Sequence, residues 1–79
     1  MVNYLRFHRE RLIMEIQGKQ VKRGFQFVHA FFLDNKNQPL QCEVTRVAGG
    51  FVYWKVIGED KSCFYLSVDS FEKSVKNVL

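Results

Sequence analysis

The chain has one proline, Pro39, and two cysteines, and it has no long apolar run. No stretch approaches the roughly 20 apolar residues that a membrane helix needs. Repeats, Pro- or Ser-rich tracts and low-complexity segments are missing, which leaves no linker between domains. The opening Met1-Val2-Asn3-Tyr4-Leu5-Arg6-Phe7-His8 lacks the apolar core and small-residue cleavage site of a secretory signal. These absences point to a cytoplasmic protein, or a nuclear one in a host with a nucleus, and away from a membrane.

The metal-binding residue types are as sparse. Cys42 and Cys63 lie 21 positions apart, and His8 and His29 precede both. No C-x-x-C or H-x₃-H pair exists to fix a metal. The strand register derived below sets the two cysteines on opposite faces of non-neighbouring strands. Next-but-one strands are about 9.6 Å distant, beyond disulfide reach. Both read as free thiols, with no metal and no cofactor implied.

Catalytic signatures are also lacking. There is no nucleophile elbow and no Gly-rich phosphate loop, since Gly49-Gly50 separates two apolar runs rather than a strand and a helix. Glu59-Asp60 is a carboxylate pair in a turn, and no base is placed for Ser62, Ser67 or Ser70. The chain reads as a non-enzymatic binding protein.

What is present is apolar and aromatic material. Of 79 residues, 47% are hydrophobic and 15% aromatic, enough for one compact domain and too much for a disordered chain. A chain of this size buries only about 60% of its unfolded surface, so self-association is a plausible support. The formal charge of +4 is uneven. Arg6, Arg9, Arg11, Lys19, Lys22 and Arg23 face only Glu10 and Glu15 in residues 1–24, whereas residues 25–79 carry six basic and six acidic side chains. A basic end attracts an anionic partner, or serves solubility alone.

Three turn signals divide residues 24–68 into four strands: Asp34-Asn35-Lys36-Asn37-Gln38-Pro39, Ala48-Gly49-Gly50 and Gly58-Glu59-Asp60-Lys61-Ser62. Short connections make successive strands antiparallel, giving a meander. A three-residue glycine turn with Gly50 left-handed sets Val44 opposite Trp54 and Glu43 opposite Lys55; a two-residue turn sets Lys55 opposite Val44 and mixes the faces. With the three-residue turn, Phe25, Phe27, His29, Phe31, Leu33, Leu40, Cys42, Val44, Val52, Trp54, Val56, Phe64, Leu66 and Val68 share an inner face, and Arg46 is its only charged member. His29 then reads as a hydrogen-bonded core histidine.

Asp69 with Glu72 forms a capping-box pattern, and Phe71, Val75 and Leu79 follow at helical spacing. The resulting fold class is α+β: a four-stranded antiparallel meander (about 24–68), a C-terminal helix (69–79), and an N-terminal segment (3–17) that reads as helix and packs on the sheet. Gly18-Lys19 would stop that helix. The competing reading is a strand at 12–17, where Leu12, Met14 and Ile16 alternate.

The outer face carries Phe51, Tyr53 and Tyr65 as neighbours, with Lys55 between them and Phe32 further across. Aromatics interleaved with a cation form a surface on which bases stack, although no RNP-type motif is present. In topology alone, a four-stranded meander followed by a helix is similar to small single-strand DNA-binding coactivator domains, and its last strands and helix to the DNA-binding arm domains of integrases. In the nucleic-acid-binding reading, Arg6, Arg9, Arg11, Lys22 and Arg23 contact phosphates while Phe51, Tyr53, Lys55 and Tyr65 contact bases. In the alternative, the same aromatic face serves a regulatory protein–protein interaction module, possible as a homodimer.

Overall fold

The computed structural model describes the backbone of residues 2–8 and 11–79 and the side chains from Met14 onward. Its main body is a five-stranded antiparallel sheet. The meander supplies four strands: β4 (Gln26–Leu33), β5 (Pro39–Ala48), β6 (Phe51–Val56) and β7 (Phe64–Ser67). The fifth is β8 (Val75–Val78), which pairs with the free edge of β4, so the order is β7-β6-β5-β4-β8. Helix α1 (Val68–Ser74) connects the two opposite edges. Strands β1 (Val2–His8), β2 (Arg11–Ile16) and β3 (Lys19–Gln20) form a second, three-stranded sheet.

The turns follow from their residues. Asp34 Oδ1 accepts the N–H groups of Lys36 (2.8 Å) and Gln38 (2.9 Å), which folds the β4–β5 loop back on itself. Pro39 opens β5, where a missing N–H is tolerated. Ser62 Oγ accepts from Val56 N–H (2.9 Å) and donates to Glu59 O (3.1 Å), closing the β6–β7 turn.

The C-terminal helix is shorter than residues 69–79. It starts at Ser67, whose side chain accepts the Ser70 N–H (3.3 Å), rather than at Asp69. It ends at Ser74, whose hydroxyl donates to Phe71 O (2.7 Å). Residues 75–78 then join β4, with Phe27 opposite Val78 and His29 opposite Val75. A short isolated helix is marginal, and an unpaired strand edge beside it offers β-branched Val75 and Val78 more.

The helix read over residues 3–17 is corrected as well. Val2–His8 and Arg11–Ile16 are strands paired antiparallel, as the alternation of Leu12, Met14 and Ile16 allows. Gln17 (φ 51°) and Gly18 (φ 82°) form a two-residue hairpin turn to β3, so Gly18 reverses a strand rather than stopping a helix. Burial decides it: Met14, Ile16 and Val21 enter the core, and the i, i+2 spacing of Met14 and Ile16 is the period of a strand rather than of a helix.

The core gathers these three with Phe25, Phe27, Cys42, Val44, Val52, Trp54, Val56 and Phe71. Phe71 meets Phe27 edge-on, with ring centroids 5.0 Å apart. Three positions read as inner-face, Phe31, Leu33 and Phe64, are instead exposed. For the two on β4 the cause is His29, whose Nδ1 accepts both the Phe31 N–H (3.1 Å) and the Phe32 N–H (3.2 Å). This interrupts the alternation of β4 and brings Phe32 from the outer face to stack on the His29 ring, with centroids 4.3 Å apart at 12°.

Candidate nucleic-acid interface

The β5–β6 hairpin sets the geometry of the outer face. Glu43 lies opposite Lys55 and Val44 opposite Trp54. The turn producing these pairs has two residues, not three. Gly49 (φ 60°) and Gly50 (φ 82°) occupy it, Ala48 faces Phe51, and Val47 faces Val52. The register is recovered by a bulge at Thr45, between Val44 and Arg46.

That bulge corrects the position of Arg46. It is the partner of Tyr53 on the outer face, not a charged member of the inner one. Its guanidinium lies over the Tyr53 ring, 4.3 Å from the centroid. Without the bulge Arg46 would stand opposite Val52, away from the aromatic ring it covers. The Gly-Gly dipeptide was the available signal, because it is the residue pair that a two-residue turn prefers.

Tyr53 pairs directly with Tyr65, with ring centroids 5.7 Å apart. Phe51 meets Tyr65 edge-on at 5.8 Å. The three rings form a ladder in which Tyr65 is 63% and Phe51 40% exposed, with Tyr53 half-buried. Met14, Ile16 and Val21 pack into the core on the other side of the sheet, so this part of the N-terminal segment leaves the ladder open.

The cations divide into groups. Lys22 and Arg23 are exposed, and the bond from Gly24 N–H to Val44 O (2.9 Å) sets them beside the bulged part of β5. Lys55 stands opposite Glu43 in the register, and the Glu43 carboxylate accepts from Gln26 Nε2 (3.4 Å). Arg9 lies outside the described residues, as do the side chains of Arg6 and Arg11, although the backbones of these two belong to β1 and β2.

Burial of His29 lowers its pKa, and the two N–H groups on Nδ1 leave Nε2 to carry the proton of a neutral ring. Cys42 is a buried free thiol whose pKa burial pushes up to about 12, while the free thiol of Cys63 is exposed. Among the described residues, no group of three His, Cys, Asp or Glu side chains is placed to hold a metal ion, and no helix is long and apolar enough to cross a membrane.

No protein-family model, curated protein or solved structure matches the chain.

Proposed function

We propose that this protein binds single-stranded nucleic acid, stacking bases on the Phe51–Tyr65–Tyr53 ladder. The observation that carries the reading is the exposure of that ladder with Arg46 seated over Tyr53. An exposed ring face meets a base only when the base is unpaired, which favours single strands over duplex. Arg46, Lys22 and Arg23 supply phosphate contacts at the same end of the sheet. Lys55, opposed by Glu43, contributes less than its position in the sequence implied.

Fluorescence polarisation with labelled single-stranded and duplex oligonucleotides tests this. Single strands bind more tightly, and affinity falls steeply as salt rises. Tyr53→Ala with Tyr65→Ala weakens binding, since each stacked base contributes about 1–3 kcal/mol. Failure of single strands to bind at low salt sinks the reading.

A second reading draws on β7, an edge strand that among the described residues pairs only with β6. A regulatory protein-interaction module, dimeric through β7 and the same aromatic face, would use the open edge. Light scattering separates the two: a dimer that the Tyr53→Ala, Tyr65→Ala pair dissociates supports the interaction module, and a concentration-independent monomer removes the homodimer.

A further inference from the structure

The inner face is only half roofed. Helix α1 has seven residues, and its Phe71 covers the end of the sheet that holds Phe25 and Phe27. At the other end a cavity of about 570 Å³ remains, walled by His29, Phe32, Trp54, Phe64 and Leu66. This volume falls in the range of small-molecule sites, roughly 300–1,000 Å³. Its walls are two stacked ring pairs. His29 lies on Phe32, and Trp54 lies on Phe64 with centroids 4.6 Å apart at 22°. Phe31, Phe32 and Phe64 stay 69%, 52% and 41% exposed. A cluster of three such rings around one opening is unusual for the surface of a protein without a ligand.

The polar groups are few and lie to one side. Ser70, Lys73 and Ser74 line the cavity from α1. His29 is neutral with Nδ1 occupied, so among the described residues Lys73 is the single ionised side chain on the lining. The Ser74 hydroxyl already donates to Phe71 O and is left as an acceptor. Trp54 is 2% exposed, and its buried Nε1–H has no acceptor among the described residues.

We propose that this cavity binds a small aromatic molecule carrying one anionic group, a carboxylate or a sulfonate. The aromatic body lies among the rings of His29, Phe32, Trp54 and Phe64, where ring–ring contact adds to burial. The anionic group points to Lys73 and the Ser70 hydroxyl. Tyr65 lines this cavity and also belongs to the outer aromatic ladder, so the two surfaces adjoin there, but binding in the cavity does not depend on nucleic-acid binding.

The chain carries its own reporters. Trp54 is its single tryptophan and lines the cavity, as does the exposed thiol of Cys63. The experiment titrates the folded protein with 8-anilinonaphthalene-1-sulfonate and, in parallel, with the uncharged N-phenyl-1-naphthylamine, following transfer from Trp54 to the dye. Both dyes bind saturably with near-ultraviolet circular dichroism unchanged. Lys73→Met weakens the sulfonate about fivefold, the scale of one exposed charge pair, and leaves the neutral dye unaffected. The bound sulfonate also slows modification of Cys63 by a thiol reagent. Ser70→Trp, an exposed position whose bulk projects into the opening, blocks both dyes while the circular dichroism of the fold is retained. The proposal is overturned by non-saturating transfer, by equal weakening of both dyes in Lys73→Met, by a Cys63 that the dye does not protect, or by dye binding that survives Ser70→Trp. A near-ultraviolet spectrum that collapses on dye binding also overturns it, because the dye would then be reading loosened packing.

Discussion

Arg46 lies over Tyr53, 4.3 Å from the ring centroid, because Thr45 is an extra residue in β5. Without that extra residue, a two-residue glycine turn and the Val44–Trp54 pair could not coexist in this chain. The bulge therefore joins core register to surface chemistry: Val44 stays inside, and the guanidinium stays on the aromatic ladder.

The first prediction concerns Arg46 itself. Removing one phosphate contact reduces the slope of log affinity against log salt by about one. Arg46→Ala is expected to show this reduction together with weaker binding of single strands. Arg46→Lys keeps the charge and the slope but loses the planar stack on Tyr53, so its affinity falls at every salt concentration. Its effect on folding is small, because an exposed cation–π contact contributes about 0.5–1 kcal/mol. Titration at several salt concentrations checks both variants, and an unchanged slope in Arg46→Ala removes this residue from the site.

The second prediction uses the bulge. Deleting Thr45 takes out the unpaired residue and keeps Arg46 opposite Tyr53 and Val44 opposite Trp54. The shortened chain is expected to fold cooperatively, with stability within about 1 kcal/mol of the parent. Deleting Val47 removes the same number of residues but brings Arg46 opposite Val52 on the apolar side. That variant is expected to lose about 1–2 kcal/mol more, because it gives up the Val47–Val52 pair and the Arg46–Tyr53 contact together. Chemical denaturation of the two deletions compares them, and equal losses refute the bulge account.

The same hairpin shows what the sequence alone could reveal. Glu43–Lys55 and Val44–Trp54 were legible, because only one register sorts charge from apolar residues. The turn was not, since a three-residue turn and a two-residue turn with a bulge give the same pairs at that distance. Met14 and Ile16 show a different limit. Their alternation fits a strand, yet Asn3 to Gln17 are mostly good helix formers, and only burial in the shared core decides between them. Residues 75–78 depended on a partner too: Val75 fits a helical stripe with Phe71 until the free edge of β4 is beside it. The cavity was hidden for a related reason, because the uncovered end of the inner face follows from where α1 stops.

The third prediction is a pH dependence set by His29. Its Nδ1 accepts two backbone N–H groups, and burial lowers its pKa below the ordinary value of 6.5. The unfolded chain takes up a proton at about pH 6.5, before the folded one does. Stability from this group is therefore full above pH 6.5 and is lost as pH falls from there through the lower folded pKa. His29→Asn removes the titrating group and is expected to flatten stability over that window, at a lower overall level. Denaturation midpoints measured between pH 7.5 and 5 test this. A parent protein equally stable across the range contradicts the neutral, doubly accepting His29.

The last prediction concerns Gln17, which guards the outer edge of β8. Its Oε1 accepts the Val78 N–H (3.0 Å) and its Nε2 donates to Lys76 O (3.4 Å), so one side chain takes the place of a neighbouring strand. It does this from a left-handed backbone, φ 51°, which an L-residue other than Gly, Asn or Asp adopts at a penalty of about 1–2 kcal/mol. Two effects thus oppose each other at one position. Gln17→Ala removes both hydrogen bonds and keeps the strained backbone, so it is expected to destabilise by about 1 kcal/mol. Gln17→Gly removes the same bonds but relieves the strain, so it should lie close to the parent in stability. In both variants the Val78 amide loses its acceptor, and its hydrogen exchange should accelerate while that of Leu79, bonded to Gln26 O, changes less. The pair thereby separates edge protection from turn strain. If exchange at Val78 is unaltered in both, β8 is protected by something other than Gln17.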